Sequence, residues 1–323
     1  MKNQKVILVT GGAGFIGSNL CKSLLLKGEV VICLDNYYKK SIKERNISSL
    51  LTSENFYLEI GDIRDVIFLK TVFTRYDFDA VVHLAAKAGV RGSIDNIKEY
   101  YDVNVSGAIC LFEVMKEFNV LNIVFASSSS VYGNNNSLLI ENSNTDCQTS
   151  PYASTKKTVE LFSYTYFKNF NFNIINLRLF SVYGKRQRPD LFIAKVFKAI
   201  SNKEIIKIYG DGEQLRDFTY ITDVVDAFLK SLDLLSTKNK LYEIINIGSN
   251  TSISVNELID IIEREINKKI NVRFIGKQVG DIPSTFAGLT KASKLLNYEP
   301  KIKINEGIKI YKFWYDNSLK NSL

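Results

Sequence analysis

A single histidine, His83, occurs among 323 residues, and that scarcity removes whole classes of chemistry before any motif is read. Histidine-rich metal sites are excluded, and acid–base catalysis must fall to other side chains. His83 itself follows the apolar run 80–82, so a structural place at a strand end is expected of it. Cysteine is sparse too. Cys21, Cys33, Cys110 and Cys147 show no Cys-x-x-Cys spacing, and three lie in apolar segments where cysteine packs as a small hydrophobe, which supports neither a disulfide framework nor a zinc site. The four prolines leave no proline-rich linker, Asn134-Asn135-Asn136 reads as a loop, and no internal repeat is found. Long apolar runs are missing as well: 6–9 and 30–34 fall far short of the roughly 20 residues that cross a bilayer. Lys2 and Lys5 could open a signal peptide, but the run they precede stops at Gly11-Gly12, too early for its hydrophobic region. A cytoplasmic protein without a membrane partner is expected.

The charge is +8, but it is not gathered. Lysines sit beside glutamates at Lys98-Glu99, Lys116-Glu117 and Lys203-Glu204, the pattern of a solvated surface, so no nucleic-acid partner is expected. With 46% hydrophobic and 24% charged residues, the chain can bury one large core or two unequal ones.

What is present is an alternation. Short β-branched runs recur at 6–9, 30–34, 56–60, 80–84, 123–125 and 174–177, separated by segments with helical spacing at 14–27, 65–73, 97–118 and 151–170. Alternating β and α elements imply an α/β fold, a Rossmann-type doubly wound parallel sheet. Ser150 and Pro151 supply a cap and a first helical residue for the last helix. After Gly184 the pattern loosens into a helix at 191–201, strands at 205–208 and 243–247, and helices at 254–267 and 305–314. The expected division is a dinucleotide-binding domain over 1–177 and a smaller α/β substrate domain over 178–323, allowing for segments of the second that return to the first.

The stretch Val9-Thr10-Gly11-Gly12-Ala13-Gly14-Phe15-Ile16-Gly17 follows the first strand and opens the first helix. Its glycines let backbone N–H groups approach a pyrophosphate without a Cβ in the way, and the helix N-terminus favours the negative charge. Asp35 ends the second strand, where it would accept hydrogen bonds from ribose hydroxyls and repel a 2′-phosphate, which favours NAD over NADP. An adenine contact from Asp62-Ile63 competes with a plain turn at Gly61-Asp62.

Tyr152 and Lys156 stand four apart at the start of a helix, so phenol and ammonium share a face. Tyrosine ordinarily titrates near 10; a neighbouring ammonium and a cationic nicotinamide favour the phenolate, which makes Tyr152 the candidate general base. Ser127, Ser128, Ser129 and Ser130 end the fifth strand, where open α/β sheets bind ligands, and a hydroxyl there can hold a substrate oxygen in line with Tyr152.

Together these motifs resemble the extended short-chain dehydrogenase/reductases, in particular the NAD-dependent nucleotide-sugar epimerases and dehydratases, over about residues 5–314. The resemblance selects Ser128, four residues before the tyrosine of Val131-Tyr132-Gly133, as the catalytic hydroxyl beside Tyr152 and Lys156. It implies NAD contacts from Gly11, Gly14, Phe15, Ile16, Gly17, Asp35, Asn36, Asp62, Ile63, Leu84, Ala85, Ala86, Asn104, Tyr152, Lys156 and Phe180, and no metal. Four further motifs match: Arg178-Leu179-Phe180-Ser181-Val182-Tyr183-Gly184, Arg186-Gln187-Arg188-Pro189-Asp190-Leu191, Tyr209-Gly210-Asp211-Gly212 and Arg216-Asp217-Phe218-Thr219-Tyr220-Ile221. By that likeness Tyr209 lies near the uracil of a UDP-sugar, Arg216 at its diphosphate and Asp281 at the uridine ribose, with Ser129, Ser130, Asp190 and Leu191 also lining the substrate.

Position 130 discriminates within the family. Dehydratases carry acidic residues after the catalytic hydroxyl and UDP-glucuronate decarboxylases a glutamate just before Val-Tyr-Gly, whereas this chain has Ser129-Ser130, which favours C4 epimerisation. The segments 85–91, 186–191 and 278–283 look most like UDP-glucuronate 4-epimerases, with Ser181, Arg91 and Arg188 able to receive a sugar carboxylate. Lys87 for the usual glutamine, Gly92 for a larger residue and Gly288 for the usual aspartate leave UDP-glucose and UDP-N-acetylglucosamine open as substrates. The rival readings are a decarboxylase or net oxidoreductase, and a non-catalytic NAD-binding regulator. The likeness also implies a homodimer packed through 97–118 and 151–170.

Overall fold

The computed structural model describes residues 4–135, 138–276 and 282–320. Six runs of the N-terminal half become strands β1 (Val6–Thr10), β2 (Val30–Asp35), β3 (Phe56–Ile60), β4 (Ala80–His83), β5 (Asn122–Ser128) and β6 (Asn173–Leu179). They are followed by β7 (Ser181–Tyr183), β8 (Ile206–Tyr209), β9 (Leu215–Tyr220), β10 (Tyr242–Ile247), β11 (Ser252–Ser254) and β12 (Val272–Ile275).

The large sheet has the order β10-β6-β5-β4-β1-β2-β3, and every pairing in it is parallel. Successive residues of β1 go to opposite sides: Ile7 and Val9 join one buried cluster, Leu8 the other. A sheet covered on both faces needs apolar residues at consecutive positions, which is why these strands read as runs rather than alternations. Strand order reverses between β1 and β4, so a crevice opens beyond their C-terminal ends. Two small sheets, β11-β9-β7 and β12-β8, complete the architecture.

Segments of the second half return to the first: β10 pairs with β6 as an edge of the large sheet, and the helix Ile221–Leu235 buries Val224, Phe228 and Leu232 in the cluster that also holds Leu20 and Leu24 of the helix Phe15–Leu26. One expectation is corrected: 97–118 is not one regular helix. It runs as Ile97–Tyr101, a π-helical turn over Asp102–Ser106, and Gly107–Glu117. By contrast the helix Pro151–Phe170 has the expected bounds, capped by Ser150 Oγ, which accepts from Ala153 N–H at 3.2 Å, and ended by Asn171 in the left-handed region at φ 59°. Among the described residues no helix is long and apolar enough to cross a membrane.

Candidate active site

The glycine-rich turn is packed from below and open above. Gly11 has φ +68°, and a Cβ there would stand 2.8 Å from Ala85 N; a Cβ on Gly17 would strike Gly11 O and come within 2.7 Å of Gly12 Cα. Only glycine allows the helix to start this close to the turn. Gly14 caps that helix with no side-chain hydrogen bond and no acidic residue follows in the first turn, so its N-terminal N–H groups retain their capacity for an anion. Phe15 is buried beneath the turn while Ile16 is partly open. This cradle fits the pyrophosphate of NAD.

Asp35 is 2% exposed. It accepts from Ala13 N–H at 3.2 Å and Tyr37 N–H at 3.0 Å and pairs with Lys43 Nζ at 2.9 Å. Lys43 was not singled out in the sequence, where nothing marks a lysine eight residues after the aspartate. Asp62 is gripped by Arg64 Nε and Nη2, both at 2.9 Å, which holds its carboxyl at about 2, and Asn36 Nδ2 reaches it at 3.4 Å. Ile63 is buried against Gly107.

Across the reversal point, Leu84 N–H donates to Thr10 O at 3.1 Å and Ala85 N–H to Thr10 Oγ1 at 3.2 Å, which positions the strip through Ala86. Thr10 Oγ1 lies 2.7 Å from His83 Nδ1. Complete burial, with Lys156 nearby, lowers His83 to about 3, so it is neutral and structural as expected. Asn104 explains the π-helical turn. Its Oδ1 accepts from Lys87 N–H at 2.7 Å, and its Nδ2 donates to Lys87 O and to Thr155 Oγ1, each at 3.0 Å. One side chain thus ties the loop after β4 to the helix that carries Tyr152 and Lys156, and the local unwinding aims it there.

Ser128 is the last residue of β5. Its Oγ accepts from Ser130 N–H at 3.2 Å and Ser130 Oγ–H at 2.9 Å, which leaves its own proton to donate. Tyr152 is hydrogen-bonded to Ser128; burial pushes the phenol up, while that bond and the Arg188 guanidinium pull it down. Lys156 is 4% exposed, and its Nζ donates to Ala126 O at 2.7 Å. Burial lowers Lys156 to about 7 against the opposing charge of Glu160. Tyr152 thus bonds Ser128 at the C-terminal end of β5, and Lys156 Nζ lies 6.0 Å from the centre of the Tyr152 ring, a cluster of a donor hydroxyl, a phenol and a nearby cation suited to proton transfer. Tyr100, absent from the sequence expectations, is buried with its ring edge-on to Tyr152 at 6.4 Å between centroids.

On the substrate side, Arg188 is forked to Asp190, Nε to Oδ1 at 3.0 Å and Nη2 to Oδ2 at 2.7 Å. Leu191 closes that turn, its N–H donating to Arg188 O at 3.2 Å. Arg91, expected at a sugar carboxylate, stacks its guanidinium 4.1 Å over the ring of Tyr209, the residue expected at the uracil. Arg216 is half-buried and its Nη1 donates to Leu215 O at 2.8 Å. Ser129, Ser130 and Ser181 are half-buried, the last paired with Phe218 at the start of β7. Phe180 is buried with Val131, Tyr132, Leu139 and Ala287. Asp281 lies outside the described residues.

Sequence reasoning also missed the pair formed by Glu160 and Arg178, whose guanidinium and carboxylate meet at 2.8 Å and are 2% and 1% exposed. A signal existed: an arginine inside the apolar strand 173–179 requires a buried acid.

The parallel sheet, the glycine turn and the serine–tyrosine–lysine cluster together define a dinucleotide-dependent enzyme of the short-chain dehydrogenase/reductase type. Residues 7–248 match the NAD dependent epimerase/dehydratase family, and the chain belongs to it. It is 42% identical over 317 residues to a UDP-glucuronate 4-epimerase of Thermodesulfobacterium geofontis, covering 97% of each chain. Among solved structures it is similar to UDP-glucuronic acid 4-epimerase of Bacillus cereus in complex with UDP-glucuronic acid and NAD, with TM-score 0.91, 34% identity, and 97% and 99% of the two chains covered. A UDP-N-acetylglucosamine 4-epimerase of Methanobrevibacter ruminantium, in complex with UDP-N-acetylmuramic acid, matches at TM-score 0.89 and 32% identity over 98% and 99%.

Proposed function

We propose that this chain is an NAD-dependent UDP-sugar 4-epimerase that interconverts UDP-glucuronate and UDP-galacturonate. The observation that carries the reading is the cluster of Ser128, Tyr152 and Lys156 with no carboxylate at position 130: the two residues after the catalytic hydroxyl are Ser129 and Ser130, and the Ser130 hydroxyl bonds to Ser128 at 2.9 Å. NAD, when bound, supplies the acceptor and later the donor of the C4 hydride. Tyr152 takes the proton of the sugar 4-hydroxyl while Ser128 donates to the same oxygen, and Lys156 stabilises the phenolate. The 4-keto sugar then turns over in the pocket and is reduced on its other face, with Tyr152 returning the proton. Elimination or decarboxylation requires a further acid or base that Ser129 and Ser130 do not supply. Arg188, with Ser129, Ser130 and Ser181, offers donors to a hexuronate carboxylate; Arg216 meets the diphosphate, Tyr209 the uracil and Asp281 the uridine ribose.

The chain acts as a homodimer in this reading, because Ile97, Ile109, Leu161, Tyr164 and Phe170 stay exposed on the two helical segments concerned. A solution mass of one chain at micromolar concentration overturns that part. For the activity, NMR of UDP-glucuronate, UDP-glucose and UDP-N-acetylglucosamine with purified protein and no added cofactor gives the answer. Conversion of UDP-glucuronate to its C4 epimer is expected; release of carbon dioxide, or no turnover of any UDP-sugar, sinks the reading.

A further inference from the structure

Tyr152, Lys156 and Glu160 follow at four-residue intervals on the helix Pro151–Phe170, so they line one face with neighbouring Cβ atoms about 5–6 Å apart. The chemistry above uses the first two and leaves Glu160 idle, although it is 1% exposed. Its carboxylate is fully engaged: Arg178 donates from Nε to Oε1 at 2.9 Å and from Nη2 to Oε2 at 2.8 Å, and the Ser127 hydroxyl donates to Oε1 at 2.5 Å. Ser127 and Arg178 are direct partners across the β5–β6 ladder. The carboxylate is thereby fixed to two adjacent strands, one residue before Ser128.

Arg178 extends the connection away from the helix. Its Nη1 donates to Glu141 O at 3.2 Å and its guanidinium lies 4.8 Å from the centre of the Tyr132 ring. Glu141 Oε1 in turn accepts from Asn246 N–H at 2.8 Å, and Asn246 Nδ2 donates to Leu139 O at 2.9 Å. Apolar side chains of the same volume often stabilise a core as well as a buried ion pair does, so stability alone does not account for this arrangement.

We propose, resting on the epimerase reading, that Glu160 is a positioning residue: clamped by Arg178 and Ser127, it seats the helix so that Tyr152 meets Ser128, and its negative charge holds Lys156 as the ammonium that the phenolate needs. Burial works against that charge on Lys156, and Glu160 is the group that opposes it. No other group around the ammonium carries a negative charge. Tyr152 on the same helix is the proton carrier, neutral His83 faces it from β4, Ala126 on β5 gives a carbonyl, the Phe125 ring, 4.7 Å from Nζ, gives only its π face, and Arg178 on β6 is itself cationic.

The test compares Glu160→Gln, the doubly neutral Glu160→Gln/Arg178→Gln, which leaves no orphaned guanidinium, and Glu160→Asp, which keeps the charge. Titration of Lys156 is followed by cyanate labelling against pH with mass spectrometric readout, alongside the pH profile of kcat. Both neutral variants should move the Lys156 midpoint and the alkaline limb of kcat down by about one pH unit or more, with KM for the UDP-sugar nearly unchanged, whereas Glu160→Asp restores both. An unmoved midpoint in a folded neutral variant, with kcat merely reduced, overturns the proposal. A wild-type chain that turns over no UDP-sugar yet shows the shifted midpoint in the variants sinks the epimerase reading and leaves the charge role standing.

Discussion

The two ends of the cleft are built by different means. At the glycine-rich end the groups that would meet a cofactor are held by backbone: Gly11 and Gly17 close on main-chain atoms, and the loop after β4 hangs on the main chain and hydroxyl of Thr10. At the other end the candidate sugar-nucleotide groups are side chains, and two pairs of them contact each other. Arg188 holds Asp190 with side-chain exposures of 35% and 55%, and Arg91 rests on Tyr209. Exposed pairs of this kind contribute about 1 kcal/mol or less, so they are easily exchanged for phosphate or carboxylate. One end is fixed by main-chain packing; the other rests on side-chain contacts such as the exposed Arg188–Asp190 pair.

Tyr152→Phe should give the largest effect, because it removes the proton carrier from the point where the two ends meet: kcat should fall by about a thousandfold or more with NAD content unchanged. Loss of NAD from that variant would show that Tyr152 belongs to the cofactor end. Gly17→Ala tests the rigid end itself. Its methyl has no space beside Gly12 Cα, at 2.7 Å, and the turn must shift. Overpacking of this kind costs about 1–3 kcal/mol, so a lower melting temperature and roughly 10- to 100-fold weaker NAD binding are expected. Unaltered NAD affinity would refute the backbone account. Arg216→Ala tests the adaptable end: loss of one charge-assisted bond to a diphosphate, about 1.5–3 kcal/mol, should raise KM by roughly 10- to 100-fold at nearly constant kcat. A fall in kcat with constant KM would place Arg216 in the chemistry instead.

The contrast between the ends also governed what could be read from the sequence. Gly11, Gly14, Gly17 and the Tyr152/Lys156 spacing are local patterns whose geometry follows from a strand, a turn and a helix, and the first six strands emerged from apolar runs of the same local kind. Lys43, Tyr100 and the Glu160–Arg178 pair are not local: each acquires its place only when distant segments pack. β10 lies in the second half of the chain while its ladder partner is β6, a pairing of distant segments that no local pattern announces. The π-helical turn was hidden for the same reason, since Asn104 unwinds it toward a lysine loop and a threonine that lie apart in sequence.

Asp62 sharpens the comparison because it belongs to the cofactor end yet is built like the other. Its partner Arg64 is two residues away, and the side-chain exposures are 26% and 45%. Arg64 lowers the carboxyl from 3.8 to about 2. A depressed carboxyl stabilises the fold above its unfolded value and loses that contribution as pH falls through the folded one, so the relevant window is 3.8 down to about 2. Solvent screens the pair, and the contribution should be no more than about 1 kcal/mol. Asp62→Asn is therefore expected to lower the melting temperature slightly at neutral pH, with the gap to wild type closing across that acid window, while NAD binding weakens severalfold at most. A large loss of NAD affinity, on the scale of Gly17→Ala, would mean that Asp62 is fixed as firmly as the glycine turn and that the cofactor end is uniform after all.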